Sequence, residues 1–224
     1  MGWGPWDVAL GTGFYVIQAA SILAIVLVVT RAMDVEYAGV PLLVGMLLVQ
    51  LALPLTVWIF AVSRRRVSWR ALGLWRKPAL GDAGWGIVVL IAEMAVQVGY
   101  YFVLEAAGVD TEDLSPTPFL EGGTEYLIGV SILAVAVAPF AEELFFRGFV
   151  FGGLAGRWGP VWAAVVSSLL FMAAHLEPIS FPPLFVLGLL LAWLYHRNGT
   201  LWAPILVHLS NNAIVVGVLF ADLY

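Results

Sequence analysis

Apolar residues run along most of this chain in blocks of about twenty, separated by short polar or turn-forming stretches. Seven blocks, near 9–30, 39–62, 84–107, 125–155, 160–176, 181–196 and 200–220, approach the roughly 20 residues a helix needs to cross a bilayer. Helices are the expected form, because backbone groups in lipid must pair within their own segment. WGP at 158–160, EPISFPP at 177–183 and RNGT at 197–200 are turn signals between blocks. The pattern predicts an all-α, polytopic transmembrane bundle of about seven spans. Residues 1–124 form a three-span N-terminal region and residues 125–224 a four-span core. There is no internal repeat and no low-complexity segment.

Composition agrees with the pattern. Of 224 residues, 62% are hydrophobic and 11% charged, and a soluble domain carries about twice that charged fraction. The net charge of −5 argues against nucleic acid as a partner. With no cysteine, disulfides and thiolate metal sites are excluded. MGWGPWDVALGTGFYVIQ lacks a basic n-region, so no cleavable signal peptide is expected.

Charge placement gives an orientation. Six of the ten basic residues (Arg64, Arg65, Arg66, Arg70, Arg76 and Lys77) fall in the 63–77 loop, which is expected to be cytoplasmic. A multi-pass protein of the cell membrane with a cytoplasmic N-terminus follows. Arg157 and Arg197 then fall in inside turns, and the acidic loop around Asp110, Glu112, Asp113 and Glu121 falls outside. The 63–77 segment reads either as a plain basic loop or as an amphipathic helix on an anionic leaflet. Trp3, Trp6, Trp85 and Trp202, near span ends, read as interfacial anchors.

Against this background AVAVAPFAEELFFRGFVFGGL, residues 134–154, is anomalous. A charge in hydrocarbon costs about 2.5–3.5 kcal/mol on insertion scales, yet Glu142, Glu143 and Arg147 sit inside an apolar run. Glu143 and Arg147 are at i, i+4 and can pair, which leaves Glu142 pointing elsewhere. A polar span end with snorkelling glutamates is disfavoured, because FVFGGL continues the apolar run. If 156–160 is a hairpin tip, Glu142 and His175 each lie roughly 25 Å from it and come level. Gly148, Gly152 and Gly153 would let the two arms approach. In LWAPILVHLSNNA, His208 and Asn212 share a face, and Asn211 reads as a packing or capping residue. His196, beside Arg197 at a helix end, reads as exposed. Glu93 and Gln97, one turn apart in the third span, read as a helix contact or as cavity lining.

These residues suffice for hydrolysis of a peptide bond inside a membrane. Such chemistry needs a base, an oxyanion donor and a water-filled cavity. Glu142 is the candidate base. His175 would share the water or protonate the leaving amine, and His208 and Asn212 would face the oxyanion. The expected site is one intramembrane cavity open toward the cytoplasmic side. Zinc held by Glu142, His175 and His208 is the alternative, but no HExxH is present, and a metal-free site is favoured. A proton-coupled transporter and a non-proteolytic partner or immunity-type protein are the competing classes.

EExxxR (Glu142, Glu143, Arg147), FxxxH (Phe171, His175) and HxxxN (His208, Asn212) occur in that order on separate spans. Over about residues 125–219 the chain resembles the CAAX-protease and bacteriocin-processing group of intramembrane proteases, which includes the type II CAAX prenyl endopeptidases. The resemblance implies a catalytic role for Glu142, His175, His208 and Asn212, and support from Glu143, Arg147 and Phe171. It also implies a peptide or lipidated peptide as substrate, in contact with membrane lipids.

Overall fold

The computed structural model describes residues 2–32, 39–75, 79–109 and 124–223. The chain forms α1 (Pro5–Ala32), α2 (Gly39–Val57), α3 (Leu80–Ala106), α4 (Thr124–Ile132), α5 (Ala138–Glu143), α6 (Gly152–Ala174), α7 (Phe181–Asn198) and α8 (Trp202–Leu223). No strand occurs among the described residues. Wide-turn π segments at Trp58–Ser63, Leu133–Val137 and Leu144–Phe151 continue α2, join α4 to α5, and join α5 to α6. Among the described residues six helical stretches are long and apolar enough to cross a membrane, the longest being Thr124–Ala174.

That stretch folds back on itself. Gly159 has φ 78° and ψ 162°, a conformation open essentially only to glycine, and Pro160 follows. The two arms lie side by side beyond this point, where Ser167 Oγ donates to Phe146 O at 2.8 Å. Counted as two arms, it brings the number of rods to the seven expected, and the hairpin tip falls where WGP placed it. α7 ends at Gly199, whose φ of 62° supplies the left-handed C-cap. Gly199 N–H donates to Tyr195 O at 2.8 Å.

The wide turns leave carbonyls for side chains. In the π register Ala134 O would pair with the N–H of residue 139, but Pro139 has none. Asn212 Nδ2 donates to Ala134 O instead, at 2.9 Å. Trp3 Nε1 likewise donates to Phe149 O, at 2.8 Å. Trp3 is therefore buried rather than an interfacial anchor. Trp202 is partly buried and donates to Leu74 O at 3.0 Å. Trp6 and Trp85 are exposed.

The glycines expected to bring the hairpin arms together do something else. A Cβ on Gly152 would lie 3.0 Å from the Trp3 ring, and one on Gly153 2.5 Å from Trp3 Nε1 and 2.6 Å from Val8 Cγ2. They make room for the N-terminal segment. Gly148 faces Leu201 and Leu72 O. The close approach in this region is at Gly188 of α7, where a Cβ would lie 2.8 Å from Ser168 Cβ on α6.

One end of the bundle collects the positive charge. Arg65 Nε pairs with Asp7 at 2.8 Å, and Arg157 packs against Gly4. Arg197 lies 4.3 Å over the Trp85 ring. Leu201 N–H donates to Gly73 O at 3.0 Å, tying the α7–α8 turn to the basic loop. Residues 66–75 of that loop are turns rather than a helix, which removes the amphipathic-helix reading for them. Arg76, Lys77 and the acidic residues Asp110, Glu112, Asp113 and Glu121 lie outside the described residues.

Candidate active site

Glu143 and Arg147 are completely buried and pair at 2.7 Å, as their spacing predicts. Arg147 Nη2 also donates to Gly188 O at 3.2 Å, and its guanidinium lies 4.5 Å over the Phe171 ring. The cation is thus held by a carboxylate, a carbonyl and an aromatic face. Glu143 Oε1 also lies 3.0 Å from His208 Nδ1. Because the carboxylate can only accept, this contact makes Nδ1 the donor. The other ring nitrogen, Nε2, then faces Glu142 Oε2 at 3.8 Å. A chain of charge and hydrogen bonds runs Arg147–Glu143–His208 and stops just short of Glu142.

Phe171 packs the histidines. Its ring centroid lies 5.6 Å from that of His208 and 4.8 Å from that of His175. His175 caps α6, with Nδ1 2.8 Å from Phe171 O, so its Nε2 is the atom free for other partners.

The first three spans enter the site, which the sequence reading did not foresee for α2. Gln50 Nε2 donates to Glu142 Oε1 at 2.9 Å. From α3, Gln97 Nε2 donates to Glu93 Oε1 at 3.0 Å and to Asn211 Oδ1 at 2.9 Å. Asn211 Nδ2 in turn approaches Asn212 Oδ1 at 3.3 Å. Asn211 therefore links α3 to Asn212, a packing role rather than a capping one. Glu93 is both helix contact and cavity lining, and fully buried. Only its intramembrane charge hinted at this; nothing in the sequence singled out Gln50.

Glu142, His175, His208 and Asn212 line one cavity of about 750 Å³, together with Gln50, Glu93 and Gln97. All four expected residues share this cavity, but it does not open in the expected direction. Beyond the polar residues, the lining continues through Tyr101 and Leu104 of α3, Leu219 and Phe220 of α8, and the 177–180 turn. All of these lie at the end opposite the basic loop. The expectation of an opening toward the basic end fails because the chain between the site and the hairpin tip is packed rather than open. Tightly packed Phe145, Phe149, Leu191 and Leu194 occupy the basic side of it. Among the described residues no three His, Cys, Asp or Glu side chains converge as a metal-ligand set. Glu142, His175 and His208 do not form one here. His196 is exposed at the end of α7 and takes no part.

Three comparisons bear on this arrangement. Residues 124–214 match the family described as type II CAAX prenyl endopeptidase Rce1-like. An Escherichia coli protein described as "Uncharacterized 24.3 kDa protein" is 30% identical over 141 residues, covering 60% of this chain and 64% of that protein. A Bacillus subtilis (strain 168) protein described as "Putative membrane peptidase YdiL" is 33% identical over 85 residues, 38% of this chain and 35% of that protein. The chain thus spans less than two thirds of each of these relatives. No solved structure matches it significantly. The stretch that carries EExxxR, FxxxH and HxxxN is a match to the Rce1-like family of type II CAAX prenyl endopeptidases, as the order of those motifs implied.

Proposed function

We propose that this chain is an intramembrane endopeptidase that hydrolyses a peptide bond with water activated at Glu142. One observation carries the reading. His208, fixed by Glu143 on one edge, presents its other nitrogen 3.8 Å from Glu142 at the floor of a cavity.

Water resting between Glu142 and His175 gives a proton to Glu142 as its oxygen attacks the peptide carbonyl. Negative charge collects on the carbonyl oxygen. Asn212 has a second N–H beyond the one donated to Ala134 O, and it is aimed by the Asn211 contact on its own carbonyl. His208, oriented by its Nδ1–H contact to Glu143, turns Nε2 toward the same region. Fixed donors of this kind stabilise the oxyanion without reorganising. Collapse breaks the C–N bond. The proton held on Glu142 passes to the leaving amine, directly or through His175. Arg147 and Phe171 touch no reacting atom; they position Glu143 and the two histidines. The substrate is a peptide or lipidated peptide within reach of the membrane, and the apolar cavity walls suit apolar side chains or a lipid chain.

The test is peptide cleavage by purified protein. Glu142→Gln keeps the side-chain shape and removes the base, so turnover should fall about 10²–10⁴-fold while the protein still folds. A strong chelator should leave wild-type turnover intact. Undiminished cleavage by Glu142→Gln removes this site from the reaction. Activity lost to the chelator and restored by zinc replaces the metal-free mechanism.

A further inference from the structure

The two ends of this molecule differ in charge, and the cavity meets only one of them. Arg64, Arg65, Arg66, Arg70, Arg157 and Arg197 gather at one end, the first four in the loop after α2 and the others in the hairpin tip and the α7–α8 turn. Arg76 and Lys77 belong to the same loop in sequence. At the other end the described residues hold Arg31 alone, in the last turn of α1. Arg147 is in the core. Positive charge in short loops marks the cytoplasmic side of a multi-pass protein, and here three separate connections agree.

No residue of the basic loop, the hairpin tip or the α7–α8 turn lines the cavity. Along α8 the lining begins at His208, six residues from Trp202 or roughly 9 Å, and ends at Phe220, roughly 27 Å away. The hydrocarbon core is about 30 Å thick. The cavity therefore starts in the basic half and reaches the far boundary. Along α3 it passes from Glu93 to Leu104, and its mouth is ringed by Glu177 and Ser180. Glu177 is exposed. Toward the basic end it is closed by buried Phe145, Phe149 and Leu194.

We infer that the chamber opens on the extracytoplasmic face, so that its substrate is a peptide segment presented from outside the cytoplasm, with apolar side chains to fit the walls. This rests on the endopeptidase reading for the word substrate, but not for the sidedness. A peptide end exposed only in the cytosol would have to cross the packed aromatic layer to reach Glu142.

The natural absence of cysteine permits a direct test. Single cysteines are placed at the cavity mouth, Glu177→Cys, and in the basic loop, Ser68→Cys; both positions are exposed. Each variant is treated with a membrane-impermeant sulfonated maleimide, in right-side-out spheroplasts and in inverted membrane vesicles. Position 177 should label in spheroplasts and not in inverted vesicles, and position 68 the reverse. Labelling of 177 in inverted vesicles, or of 68 in spheroplasts, overturns the inference whatever the protein's activity. Labelling as expected, with no apolar peptide cleaved from either side, keeps the sidedness and removes the endopeptidase reading.

Discussion

Removing Arg147 should be among the most damaging single changes in this protein. The side chain is completely buried, as is its partner Glu143. Arg147→Ala leaves that carboxylate with His208 as its remaining hydrogen-bond partner. It also leaves Gly188 O without its donor and opens a void beside Phe171. Breaking one member out of a buried pair costs about 3–5 kcal/mol. For a chain of this length each kcal/mol moves Tm by about 2–4 °C, so the melting point in detergent should fall by roughly 6–20 °C. Arg147→Lys should recover only part of this, because a single ammonium cannot reproduce the planar contacts to Glu143, Gly188 O and the Phe171 face. Glu143→Leu combined with Arg147→Met should recover most of the stability, since apolar replacement of a whole buried pair is often neutral. It should not recover turnover, because His208 then loses the acceptor that orients it. Melting followed by near-ultraviolet circular dichroism checks all three. A Tm for Arg147→Ala within about 2 °C of wild type would refute the burial argument, and with it the account of how His208 is held.

Two further outcomes follow from contacts outside the motifs. Gln50→Leu removes the donor on Glu142 Oε1; a hydrogen bond to a charged group is worth about 1.5–3 kcal/mol, so kcat should drop roughly 10–100-fold with KM little changed, and equal kcat in variant and wild type would deny Gln50 a positioning role. Gly153→Ala collides with Trp3 and Val8 and should cost about 1–3 kcal/mol by overpacking; thermal melts should show that cost shrinking in a Trp3→Ala background, and an undiminished cost would place the clash elsewhere.

Much of this protein is one-dimensional information. Lipid permits only backbones that satisfy themselves locally, so apolar runs, Pro160 and the glycines at 159 and 199 mark helices and turns without reference to neighbours. Pairs one helical turn apart share the same property. Glu143 with Arg147, Phe171 with His175, and His208 with Asn212 lie on common faces because 3.6 residues make a turn. Even the sharing of one cavity by Glu142 and His175 agrees with counting residues either side of WGP.

What the sequence could not determine is which faces meet across helices. Gln50 is one polar residue among many in a long apolar span, and its bond to Glu142 exists only because α2 packs against α5. Asn211 read as either a packing or a capping residue until α3 brought Gln97 to it. Trp3 looked like a membrane anchor until a wide turn in the buried arm left Phe149 O for its indole, with Gly152 and Gly153 clearing the space. The direction of the cavity is the largest such case. Span order and charge give the same sequence-level picture whether the chamber opens toward the basic loop or away from it. Packing decides, because Phe145, Phe149 and Leu194 fill one side of Glu142 while the cavity occupies the other, and that difference resides in contacts between residues far apart in the chain.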